Sequence, residues 1–121
     1  MTITELINKV NAEKPNAFSE SHLFLFINEC EAQVQEFLGV DSEERIEYDL
    51  QFDKDEELIA PSPYDGMYEA YLKAKIDYIN EEHQSYENNQ AQFMTIFYEY
   101  KAYAMREGLV KTKPLRFTNW Y

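Results

Sequence analysis

The run Ser62-Pro63-Tyr64-Asp65-Gly66-Met67-Tyr68-Glu69-Ala70-Tyr71-Leu72-Lys73-Ala74-Lys75-Ile76-Asp77-Tyr78-Ile79 decides the fold class. Its opening reads as a helix start. Ser62 offers a capping hydroxyl, Pro63 takes the first helical position where no amide donor is missed, and Asp65 stands where a reciprocal capping bond is made. Behind this start, Met67, Tyr71, Ala74 and Tyr78 recur at helical spacing in one row, and Tyr68, Leu72, Ile76 and Ile79 in a second. Two rows make an apolar arc too wide for one neighbour, so this helix is expected to reach residues 82 to 86 and to pack on more than one side. Gly66 in its first turn points to the close approach of another backbone.

Toward the carboxyl end, a polar break at 81–90 leads to a helix predicted from Asn88 or Asn89 to Arg106. Its main face is Phe93, Ile96, Phe97, Tyr100 and Ala104, with Met94, Tyr98 and Tyr103 alongside. Arg106 suits the negative end of the helix dipole, and Gly108 is a natural C-cap. Two long helices joined by a short polar break predict an antiparallel hairpin.

Toward the amino end, Ser19 caps a predicted helix that runs to Leu38 and stops at Gly39. Leu23, Phe26, Ile27, Cys30, Val34 and Phe37 form its apolar face, widened by Phe24, Leu25 and Leu38, while Glu29, Glu31, Gln33, Gln35 and Glu36 are expected mostly on the other side. Before it, Ile3, Leu6, Ile7 and Val10 repeat at i, i+3, i+4, i+7 behind a capping Thr2 or Thr4, and Pro15 ends that helix. The reading is a mainly α protein, a small bundle of about four helices.

Residues 41–60 differ. Nine acidic residues meet only Arg45 and Lys54, and Ile46, Tyr48, Leu50 and Phe52 alternate with period two. A short exposed strand or extended loop is expected, with a turn at Asp53-Lys54-Asp55-Glu56. Either its apolar side meets a neighbouring subunit or it folds back on its own core. The expected organisation is a helical domain over 1–108 carrying this acidic excursion, followed by an aromatic, basic arm over 109–121 that Pro114 keeps from being a regular helix.

Charge separates these regions. The chain carries –12 overall; residues 1–105 hold seven Lys and Arg against 22 Asp and Glu, whereas the last sixteen residues carry a net +3. An acidic body repels a phosphate backbone, so sequence-specific nucleic-acid binding is not expected, and the basic end suits an acidic neighbour. No apolar stretch approaches bilayer length and no secretory leader is recognisable, so no membrane partner is expected. Cys30, the one cysteine, fits a reducing compartment and an inert buried thiol.

Chemistry is scarce. His22 and His83 fall on different predicted elements and share no metal-ligand spacing, and the acidic run at 53–57 lacks the glycine and terminal Glu of a calcium loop. Three glycines at 39, 66 and 108 build no phosphate loop. No catalytic residue, metal or cofactor is expected, and the ten tyrosines read as core and interface residues. The candidate interface comprises Ile46, Tyr48, Leu50, Phe52, Tyr68, Tyr71, Arg116, Phe117, Trp120 and Tyr121.

The block Leu58-Ile59-Ala60-Pro61-Ser62-Pro63-Tyr64-Asp65-Gly66-Met67-Tyr68, then Tyr71-Leu72-Lys73-Ala74-Lys75-Ile76-Asp77 and Asn88-Asn89 to Phe93, resembles small head-tail connector, or head-completion, proteins of tailed bacteriophages and prophages of Gram-positive bacteria. The opening Ile3 to Val10 helix, Lys14-Pro15-Asn16 and the Ser19 start resemble the same group. The aromatic ending at 116–121 is less typical of it. The resemblance implies a non-enzymatic helical subunit that joins copies of itself in a ring beneath the portal and meets portal and tail-side proteins. DNA would pass through that ring without being read. It further implies assembly in the cytoplasm of the bacterial host and residence in the virion. A helical adaptor or regulatory module unrelated to virions fits the same residues.

Overall fold

A computed structural model describes residues 1–111. Four helices form a small, mainly α bundle: α1 (Ile3–Glu13), α2 (Glu20–Leu38), α3 (Gly66–Ile79) and α4 (His83–Arg106). The first two begin where their caps predict. The Thr2 hydroxyl accepts from the Glu5 amide at 3.2 Å and the Ser19 hydroxyl from His22 at 3.3 Å. Gly39 ends α2 in the left-handed region at φ 77°.

The start of α3 differs from its predicted capping box. The helix begins at Gly66, with Asp65 at the N-cap and no side-chain cap bond. The Ser62–Pro63 peptide is cis, and the Tyr64 amide first closes a turn on the Pro61 carbonyl at 2.8 Å. Ser62, Pro63 and Asp65 therefore shape a turn leading into the helix, because their backbone is committed to that turn before helical bonding begins.

The predicted hairpin is present with a tighter connection. Glu81, at φ 59°, turns the chain between α3 and α4, and α4 starts at His83 rather than at Asn88 or Asn89. Contacts run in opposite senses along the two helices: Tyr64 meets Tyr103, Gly66 faces Ile96, Tyr71 meets Phe93, and Tyr78 meets Tyr86. From His83 on, the polar residues that read as a break belong to the first turns of α4, where Ser85 and Asn89 serve a buried carboxylate on α3.

α3 is the central helix, packing on α4, α2 and α1. Met67, Tyr68, Ala70, Tyr71, Leu72, Ala74, Ile76 and Asp77 are all buried, which bears out contacts on several sides. In its last turn Tyr78 and Ile79 are exposed, although Asp77 beside them is buried. The neighbour at Gly66 is a side chain, since an added Cβ would lie 3.5 Å from Ile96 Cδ1.

Segment 41–60 forms no strand; among the described residues β pairing is limited to one isolated antiparallel bridge, Thr2 with Glu57. It folds back on the body of its own chain. Gln35 clasps the backbone of Ile46, donating to its carbonyl at 3.0 Å and accepting from its amide at 2.8 Å, and Asn28 clasps Tyr48 in the same way at 3.1 and 2.8 Å. The carbonyls of Glu56 and Lys54 accept from the Ile3 and Thr4 amides at 3.1 and 3.0 Å, satisfying orphan donors at the start of α1.

Candidate functional site

The segment is anchored by a group the sequence reading placed on the wrong side of α2. Glu31 and Gln35 are buried, Glu31 completely. Glu31 Oε1 accepts from the Tyr68 hydroxyl, and Oε2 from the Tyr48 hydroxyl and, at 3.0 Å, from the Ile59 amide. The Tyr68 hydroxyl also accepts from the Ala60 amide at 2.9 Å. Burial pushes the Glu31 carboxyl upward, and these donors offset only part of that push. Burial, then the neighbouring Glu31 charge, drive both tyrosine hydroxyls well above their ordinary range, so they stay protonated donors. Every partner here comes from the chain itself. The cluster pins 41–60 and α3 onto α2, and it offers no converging acid and base to a substrate. Beside it, Cys30 is buried and its thiol is pushed up by burial and by Glu31, so it stays a neutral thiol.

A second polar centre holds the hairpin to α1. Asp77 is fully buried on α3. Its Oδ2 accepts from Ser85 and from Asn89, each at 2.7 Å, while Oδ1 faces the Lys14 ammonium as an ion pair. Lys14 also reaches Glu82 at 3.1 Å. Burial would raise the Asp77 carboxyl; Lys14 and the two hydrogen bonds outweigh it and hold the group below its ordinary value.

The predicted interface residues divide accordingly. Tyr48 and Tyr68 are inside, committed to Glu31, and Tyr71 is largely buried against Phe93 while donating to Glu29 at 3.2 Å. Leu50 is half-buried, and Ile46 is 50 % and Phe52 81 % exposed. The expected alternation fails because the chain turns at Asp49: its carboxylate accepts from the Gln51 amide at 2.7 Å and its amide donates to Asp53 at 2.6 Å, which lifts Phe52 outward. Arg116, Phe117, Trp120 and Tyr121 lie outside the described residues.

Two features were missed in the sequence. Met94 and Tyr98, expected alongside the core face of α4, form an outward row with Met105, with Tyr98 75 % exposed. Their spacing of i, i+4 and i+11 carried that signal. Leu25, counted in the apolar stripe of α2, is also exposed.

Two grooves lie near these side chains. One of 420 Å³, between α2, α3 and α4, is lined by Tyr71, Lys75, Tyr78, Tyr86, Phe93 and Met94. Another of 390 Å³, between α2 and the acidic segment, is lined by Leu25, Asn28, Glu29, Ala32, Ile46 and Glu47 among others. Among the described residues, no group of three or more His, Cys, Asp or Glu could hold a metal ion, and no helix is long and apolar enough to cross a membrane. No known protein family, curated protein or solved structure matches this chain.

Proposed function

We propose that this protein is a structural head-tail connector subunit of a phage or prophage particle, joining the portal to the tail by protein-protein contacts and without catalysis. The observation that carries the reading is the set of large apolar side chains held outward on tied-down elements: Phe52 on the acidic segment, and Met94, Tyr98 and Met105 on α4. Apolar groups fixed in the open suit a subunit that is completed by its partners. The resemblance of the α3 region and the flanking helix starts to connector proteins supplies the kind of partner: copies of this chain, the portal and tail-side proteins. The acidic charge fits a channel through which DNA passes without being held. The subunit would assemble in the cytoplasm of the bacterial host and remain in the virion.

Absolute mass by light scattering on a size-exclusion column tests the reading, with the protein alone and then with an assembly-competent portal from the same source. A ring-sized mass or a stable joint peak is expected. A 14.4 kDa monomer in both runs would overturn it in favour of a helical adaptor unrelated to virions.

A further inference from the structure

The outward side of α4 carries a self-complementary pattern. Ala91, Met94, Tyr98, Ala102 and Met105 are all exposed, and at 3.6 residues per turn they lie within an arc of roughly 80°. Phe93, Phe97, Tyr100 and Ala104, on another side of the same helix, are buried in the chain's own core. Glu99 and Arg106 are exposed, and their spacing of seven positions sets them along one edge of the stripe. Among the described residues, Arg106 is the one Lys or Arg side chain with no ion pair, hydrogen bond or ring contact.

We propose that this stripe binds the same stripe of a second copy, α4 against α4 and antiparallel, about a two-fold axis at Ala102. That register puts Tyr98 of each chain against Met105 of the other, an aromatic–thioether contact on either side of the axis. The small Ala102 side chains at the axis let the two helices approach closely. Glu99 of each chain falls within roughly 3 Å, measured along the helix, of Arg106 of the other, which gives that arginine a partner. Each contact occurs twice, as a two-fold interface requires. Charge selects the same face. The chain carries –12, so two copies repel, whereas α4 sets Glu87 and Glu99 against Lys101 and Arg106 and has no net charge. An unrelated partner would require neither the central alanine nor the spacing of the two charges. One helix face is narrow beside the roughly 800 Å² per partner that stable complexes bury, so the pair is expected to form reversibly.

This inference does not rest on the connector reading: a two-fold pair closes on itself, whereas a ring needs a head-to-tail contact. Sedimentation of the protein alone tests it, so failure leaves a joint peak with the portal untouched. The parent mass is expected to rise with concentration from 14.4 kDa toward twice that value. Glu99→Arg and Arg106→Glu each place like charges together on both sides of the axis and should weaken association by about tenfold or more. The double exchange, Glu99→Arg with Arg106→Glu, should restore it, because every pair is then opposite again. Ala102→Glu keeps a good helix former at an exposed site and should abolish the pair by setting two carboxylates at the axis. Circular dichroism should be unchanged throughout. A 14.4 kDa parent at every concentration, a ring-sized mass, or a dimer that the single exchanges leave intact would overturn the proposal. So would a double exchange that does not restore association, since only the antiparallel register pairs position 99 with position 106.

Discussion

The hydroxyl of Tyr68 on α3 donates to Oε1 of Glu31 on α2, a buried bond between residues 37 positions apart. Because the same hydroxyl accepts from the Ala60 amide, it joins α2, α3 and the end of the acidic segment. Tyr68→Phe would keep the ring and remove a partner from two buried groups at once. The expected loss is about 1–3 kcal/mol, the cost of leaving buried polar groups unsatisfied. Tyr71→Phe removes a bond to the partly exposed Glu29 and should cost about 0.5–1.5 kcal/mol. Urea unfolding of both variants, with unchanged m-values, checks the order. Equal losses would show that Glu31 does not organise the core.

Glu31 and Asp77 are predicted to give opposite pH dependences. The folded Glu31 carboxyl titrates above its unfolded value, so the native state holds the extra proton between the two. Its contribution is therefore best below the ordinary glutamate value of about 4.3 and is lost as pH rises through the folded value. Asp77 titrates below its unfolded value, so its contribution is present above about pH 3.9 and is lost as pH falls through the folded value. Stability measured against pH should show the parent losing ground to Glu31→Gln as pH rises, and losing ground to Asp77→Asn as pH falls. Parallel curves for parent and variants would refute the assignments.

The four helices were legible because their signals are local: apolar rows at helical spacing, Thr2 and Ser19 as caps, Gly39 as a stop. What escaped the sequence was set by partners far along the chain. Glu31 reads as a surface residue until Tyr48 and Tyr68 arrive as donors from 17 and 37 positions away. Ser85 and Asn89 read as a break until Asp77 is placed beside them. The alternation of Ile46 to Phe52 suggested a strand, but a strand needs a partner ladder, and the nearest backbone-binding groups were the side-chain amides of Asn28 and Gln35. The candidate surface was half legible: Ile46 and Phe52 face outward, whereas Tyr48, Tyr68 and Tyr71 do not.

If the exposed apolar groups serve assembly, they should be separable from stability. Phe52 and Tyr98 are 81 % and 75 % exposed, so Phe52→Ser and Tyr98→Ser should each change unfolding free energy by no more than about 0.5 kcal/mol. Each is expected to weaken joint elution with the portal, most clearly when combined. Wild-type association in the double variant would remove these side chains from the interface.

Gly39 and Gly108 both sit in the left-handed region, at φ 77° and 68°, yet they should not tolerate alanine equally. A Cβ on Gly108 meets nothing within 4 Å, so Gly108→Ala should cost only the backbone penalty, about 1–2 kcal/mol. A Cβ on Gly39 would lie 2.7 Å from the Lys111 carbonyl oxygen, a backbone atom that cannot swing aside as a side-chain end can. Relief requires moving Lys111, which loosens its amide bond to Leu38, so Gly39→Ala is expected to cost more than Gly108→Ala in the full chain. The comparison carries its own control. In a chain shortened before Lys111 the obstruction is gone, and the two substitutions should then cost nearly the same in urea unfolding. A difference that survives the shortening would place the cause at α2 itself and not in the contact between Gly39 and the chain after α4.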